Sequence, residues 1–256
     1  MARSKKKFTR NIILFLAGFF IAGAIALFGY MWWIERRASA IRYKEFGIPI
    51  PEGYSIHGID VSRYQSVVNW QLVKEMYVQG ITIDFVFIKA TEGTGDKDFY
   101  FKRNWRKAKE AGLIRGAYHF FLPTKDGTLQ ARNFVSHVKF SSGDLPPVVD
   151  VEQTYGVKKE ILQQRLKAWL YATELAYGVK PIIYTNVDFY KMYLSGEFDD
   201  YPLWAAHYLQ PNAPRINRDW HFWQHSERGK VSGINANVDF NVFNGDSTAF
   251  TDMLLK

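Results

Sequence analysis

From Ile56 onward the chain alternates short apolar runs with stretches of helical period. Runs with the length and β-branched or aromatic content of strands are IHGIDVS at Ile56, FVFIKAT at Phe85, IRGAYHF at Ile114 and PPVVDVE at Pro146. KPIIYTN at Lys180, LWAAHY at Leu203, HFWQHS at His221 and NVDFNVF at Asn237 complete the set. Between the first six lie predicted helices near Asn69–Gln79, Phe99–Ala111, Leu129–Phe140, Lys158–Tyr177 and Val187–Leu194. The fourth carries Leu162, Leu166, Trp169, Leu170, Thr173 and Tyr177 at helical spacing, a core-facing stripe. After the sixth strand the linkers LQPNAPRINRDW and ERGKVSGINA have no helical period. The pattern predicts an α/β fold in which a parallel sheet closes as a TIM-like (β/α)5(β)3 barrel, its last three strands joined by loops.

Upstream the pattern changes. Residues 12–34 form an uncharged, mostly apolar run preceded by the basic tail 1–11 and followed by Glu35, Arg36 and Arg37. As a helix this run reaches about 34 Å, enough to cross a hydrocarbon core of roughly 30 Å, and it is expected to be a transmembrane helix. The Lys5–Lys7 cluster places the tail in the cytoplasm and the domain outside, periplasmic or at the cell surface. A cleavable signal peptide ending at Ala38–Ala40 is the competing expectation. Residues 35–55, with Gly47, Pro49, Pro51 and Gly53, read as a stalk, and residues 56–256 as the domain proper.

Charge follows the same division. Residues 1–44 hold nine Lys or Arg against Glu35, which accounts for the whole formal charge of +8; the remaining 24 basic and 24 acidic residues cancel. A neutral domain offers no electrostatic footprint for nucleic acid. With no cysteine, disulfides and thiolate chemistry are excluded.

Candidate chemistry centres on LPPVVDVEQT, residues 145–154. The prolines push the following residues into extended backbone, and in a strand Asp150 and Glu152 share one face about 6 to 7 Å apart. Mutual repulsion is expected to raise one of them into the range of a proton donor. Other strands also end in polar groups: Asp60 and Ser62, Lys89 and Glu92, Tyr118 and His119, Tyr184 and Asn186, His207, Gln224 and His225, with Asp239 and Asn241 inside the eighth. In a barrel such ends converge on one face. His119, His207 and His225 raise the rival of a metal-dependent hydrolase, although no HExxH-type spacing accompanies them.

Taken in order, GIDVSRYQ, FVFIKATEG, AKEAGLIRGAYHF, LPPVVDVE, PIIYTN, LWAAHY, FWQHS and VDFNVFNG resemble the family 25 glycoside hydrolases, the N-acetylmuramidase type of lysozyme, over roughly residues 56–245. The resemblance implies a flattened barrel and hydrolysis of β-1,4 bonds in peptidoglycan glycan strands, without a cofactor. It implies Glu152 as general acid, Asp150 as its partner and Asp60 beside them. Asp239, Glu92, Tyr118, Tyr184, Trp204 and Gln224 fall on positions that would line the glycan groove. The chain departs from the family at Ser66, where glycine is common after the glutamine, and at Asn237, which precedes VDF in a shortened loop. The alternative function is a membrane-anchored peptidoglycan-binding protein without turnover. Nothing in the sequence indicates an oligomeric state.

Overall fold

The computed structural model describes residues 18–31 and 40–256. Its centre is a closed barrel of β1 (His57–Val61), β2 (Phe85–Glu92), β3 (Ile114–Phe120), β4 (Val148–Asp150), β5 (Ile182–Asn186), β6 (Leu203–Ala206), β7 (Phe222–Gly229) and β8 (Val238–Phe243). Each predicted strand is present. Neighbours from β1 to β7 pair in parallel, and β1 closes the ring through β8. The closing strand corrects the expected all-parallel sheet, because β8 runs antiparallel to both β7 and β1. A linker without a helix brings the chain back down the barrel, where a parallel strand would need a long crossover.

Strict alternation sorts the side chains. Ile59, Val61, Val86, Ile88, Val149, Ile183 and Leu203 face outward into the main core beneath the helices. Phe85, Phe87, Val148, Ile182, Trp204, Phe222 and Phe243 face inward and fill the barrel. Such large rings fit because their partners across the ladder are glycines. A Cβ on Gly58 would lie 2.4 Å from the Phe85 ring, and one on Gly116 would lie 2.4 Å from Phe87.

Helices α1 (Trp70–Glu75), α2 (Phe101–Glu110), α3 (Gly127–His137) and α4 (Lys159–Tyr177) cover the parallel part of the sheet. A helical turn, Val187–Phe189, widens into a π-turn over Tyr190–Leu194 after β5. α1 is shorter than the predicted 69–79. The chain turns extended at Met76, and positive φ at Gln79 and Gly80 folds Tyr77–Val78 back on Ile81–Thr82. α3 starts earlier than predicted because Asp126 caps it, accepting from Leu129 N at 2.8 Å. A further helix, α5 (Ser247–Met253), was not predicted; Asp246 caps it, and Phe250 closes the barrel floor against Phe85 and Phe243.

The segment expected to be a stalk is partly built onto the barrel. Ala40–Tyr43 and Ile48–Pro51 form a hairpin, and Phe46, Ile48 and Ile50 are buried in the main core. The Phe46 ring packs 5.2 Å from that of Phe240, so apolar side chains overrule the prolines and glycines that suggested a free linker. Residues 18–31 are helical and exposed. Among the described residues no helix is long and apolar enough to cross a membrane. The expected span, 12–34, extends into residues 12–17 and 32–34, which lie outside the described residues, as does the basic tail 1–11.

Candidate active site

At the mouth of the barrel, one step beyond the aromatic filling, the inward positions become polar. Asp60 of β1, Lys89 of β2, Tyr118 of β3, Asp150 of β4, Tyr184 of β5, Gln224 of β7 and Asp239 of β8 line a cavity of about 590 Å³, joined by Ala206 of β6 and by Glu152 just past β4. Every strand thus contributes to one pocket, lined also by Trp204, whose ring stacks on that of Phe87 at 4.3 Å. β4 ends at Asp150 rather than at Glu152, although Val151 N still donates to Tyr184 O at 3.0 Å and carries the extended path onward.

Register sets the closest pair of acids. β8 runs against β1 with Asp239 directly opposite Asp60. Gln224 Nε2 and Asn241 Nδ2 both donate to Asp60 Oδ2, each at 2.8 Å, and Asp239 hydrogen-bonds the same carboxyl. Burial lifts Asp60 to about 6 against the pull of those donors. Burial and then the charge on Asp60 lift Asp239 to about 9. Asp239 therefore holds a proton at neutral pH and Asp60 is the acceptor.

Asp150 is 8 % exposed, and its Oδ1 is buried with no hydrogen-bond partner among the described residues. Burial pushes its carboxyl well above the ordinary range, the charge of Glu152 adds to this, and the Lys89 ammonium opposes it. Glu152, partly buried, is raised first by burial and then by the charge of Asp60, again against Lys89. Repulsion was expected to lift one acid of the pair. The structure lifts the whole cluster, and burial is the leading cause in each case.

The predicted site residues gather here with one exception. Glu92 stands outside the cavity wall, 2.7 Å from Lys89 in an ion pair that orients the lysine. Trp204 and Gln224 line the wall, but their polar atoms are committed. Trp204 Nε1 donates to Asn241 Oδ1 at 2.8 Å, and Gln224 Oε1 accepts from Tyr184 at 2.8 Å and Tyr208 at 2.6 Å. Lys89, Asn241 and Tyr208 were not predicted as site residues. For the first two the signal was present as period two, since Lys89 follows Phe85 and Phe87 on one face and Asn241 shares a face with Asp239. Tyr208 lies in a loop without periodicity.

Of the three candidate histidines only His207 lines the cavity, where its Nδ1 accepts from Arg215 N at 3.0 Å. His119 is fully buried behind the barrel wall, between Thr91 at 2.7 Å and Gln130 at 3.2 Å, and His225 is buried against Trp223 and Phe240. Among the described residues no three His, Cys, Asp or Glu side chains are placed to hold a metal ion.

A carboxyl pair with raised pKa values, set at the end of one strand in the mouth of an eight-stranded barrel, is the apparatus of a glycoside hydrolase. The chain belongs to glycosyl hydrolases family 25, whose sequence profile matches residues 59–234. Protein YegX of Escherichia coli (strain K12) is 46% identical over 237 residues, covering 91% of this chain and 86% of that protein. Lysozyme M1 of Streptomyces globisporus is 35% identical over 211 residues, covering 75% and 69%. The solved structure of a family 25 glycosyl hydrolase from Bacillus anthracis superposes with a TM-score of 0.74 at 32% identity, covering 80% of this chain and 96% of that one. β8, with Asp239 and Asn241, lies beyond the matched profile.

The retained proton on Asp239 has a thermodynamic signature. Its folded value of about 9 exceeds the ordinary 3.8, so between those values the native state binds a proton that the unfolded chain has lost. Stability must then fall as pH rises through this window, by up to about 1.4 kcal/mol per pH unit for one whole proton. Between pH 7 and 9 the histidines are past their ordinary range. Urea unfolding there should show wild type losing stability with a steeper slope than Asp239→Asn, and equal slopes would contradict the assignment of the proton.

Proposed function

We propose that this protein is a lysozyme-type peptidoglycan hydrolase that cleaves β-1,4 bonds between N-acetylmuramic acid and N-acetylglucosamine. Glu152 is the general acid and Asp150 the assisting carboxylate. The observation that carries this reading is the placement of both groups in a cavity walled by Trp204, Tyr184 and Tyr118, with Asp150 Oδ1 buried and without a hydrogen-bond partner among the described residues. The likeness to Lysozyme M1 supports the same substrate class.

The steps follow from the groups present. Glu152 gives its proton to the glycosidic oxygen as the bond to the anomeric carbon breaks, and positive charge grows on the sugar. The carbonyl oxygen of the substrate's own acetamide closes on that carbon from the opposite face. Asp150 acts here in its ionised form, which the acetamide N–H donated to its buried Oδ1 and the Lys89 ammonium favour against burial and the charge of Glu152, and its negative charge balances the cationic ring that forms. Glu152, now a carboxylate, takes a proton from water as the water opens the ring, which restores both groups. Two displacements at one carbon retain its configuration.

The protein acts from a membrane anchor at residues 12–34, with residues 56–256 outside the cytoplasm. The uncharged run and the basic residues before it support this placement.

Glu152→Gln keeps the shape of the side chain but has no acidic proton to give. Its rate on purified peptidoglycan should drop by about 100-fold or more with the fold intact by circular dichroism, and activity within a few-fold of wild type would remove Glu152 from its role. Proton NMR of the first-formed reducing end should show the β-anomer, and a substrate without the N-acetyl group should be nearly inert; an initial α-anomer rules out retention. In cell fractionation the full-length chain should sediment with membranes, and protease added from the outer side should digest the domain. Recovery of a soluble mature form beginning near Ile41 would establish cleavage of the N-terminal segment instead.

A further inference from the structure

The bonds around Asp60 run in one direction. An indole N–H can only donate, so the bond from Trp204 Nε1 fixes Asn241 Oδ1 as the amide oxygen and turns Nδ2 toward Asp60 Oδ2. On the other side the hydroxyls of Tyr184 and Tyr208 both reach Gln224 Oε1, which turns Nε2 onto the same Asp60 oxygen. Asn241 is 0% exposed and Gln224 2% exposed, so neither amide can exchange these bonds for water. Two amide donors on one oxygen hold Asp60 as an acceptor, since a proton placed there would meet two N–H groups. Asp239, its partner across the ladder, has no amide donor among the described bonds.

We propose that Asn241, oriented by Trp204, is a positioning residue that works with Gln224 to keep the proton of the Asp60–Asp239 pair on Asp239, so that the fixed charge on Asp60 keeps Glu152 protonated for its work as acid. The first half stands on the hydrogen bonds alone; the second rests on the role assigned to Glu152 above.

Other charges face the same space. Lys89 on β2 pulls Glu152 and Asp150 down, with Glu92 neutralising part of its effect from outside the wall. Glu227 of β7 and Glu152 itself push Asp239 up. The hydroxyls of Tyr118, Tyr184 and Tyr208 remain neutral, their acidity suppressed by burial. None of these groups discriminates between the two members of the pair as a hydrogen bond does. Asp60 is also the neighbouring charge that acts most strongly on Glu152.

The test compares wild type, Asn241→Leu and Trp204→Phe as full-length chains by carboxyl carbon-13 NMR titration, together with the pH dependence of kcat/KM on peptidoglycan. In wild type Asp60 should titrate well below Asp239. Asn241→Leu removes one donor, so Asp60 should rise and the gap between the two should narrow by about one pH unit or more. The negative charge then spreads toward Asp239, Glu152 loses part of its stabilising neighbour, and the basic limb of the rate profile should move to lower pH. Trp204→Phe keeps the stacked ring and removes only the orienting N–H, so it should move both readouts in the same direction by less. It decides the matter if Asn241→Leu does not fold. An unchanged gap in a folded variant overturns the proposal whatever the activity does. A narrowed gap with an unmoved basic limb supports the hydrogen-bond assignment and overturns Glu152 as the acid it serves.

Discussion

Closure of the barrel by an antiparallel strand is the constraint on which the site depends. Seven parallel strands would all present the ends of their inward rows at the mouth, but an eighth entering from the mouth presents its beginning. Asp239 lies early in β8 and Asp60 late in β1, and antiparallel register sets them face to face. Two carboxyls so placed in a buried position cannot both ionise cheaply, and one must keep its proton. The bonds from Gln224 and Asn241 decide which one does.

The filling of the barrel sets how strongly burial acts. Phe85, Phe87, Trp204 and Phe222 occupy the interior up to one layer below the acids, and the glycines at 58 and 116 leave room for the Phe85 and Phe87 rings. Apolar side chains therefore lie beneath the carboxyls, and the penalty for charging them is larger than their mutual repulsion. Burial raises every acid of the cluster, so the mouth holds protons at pH values where exposed carboxyls are bare.

Much of this was legible in the chain because strands encode their faces at period two. All eight strands could be read from apolar runs, and the inward rows ended at residues that the structure does bring together, Asp60, Tyr118, Asp150, Tyr184 and Gln224 among them. The direction of the last strand was written there as well, since its polar residues come early rather than late, but the expectation of uniform βα units hid it. Glu92 misled because sequence spacing does not distinguish a wall residue from one that steadies a wall residue from outside. The hairpin within residues 40–51 was obscured by prolines and glycines whose turn chemistry outweighed Phe46, Ile48 and Ile50 in a local reading. α5 was missed because a short helix is stabilised by its cap and by where Phe250 lands, neither of which leaves a periodic trace.

Lys89 gives the last step its logic. A cavity lined only by acids with raised pKa values would hold every proton and could donate one but not recover as a base. The ammonium of Lys89, anchored by Glu92 and lying 4.6 Å over the Phe120 ring, opposes burial at Asp150 and Glu152. Its influence runs opposite to that of Asp60, which pushes Glu152 up. Glu152 thus stands between a fixed negative charge and a fixed positive one, the arrangement that brings the protonated and ionised forms of an acid closest in energy. A residue that must give a proton in one step and take one in the next works fastest under that balance, and the barrel supplies it from strands β1 and β2, adjacent and parallel.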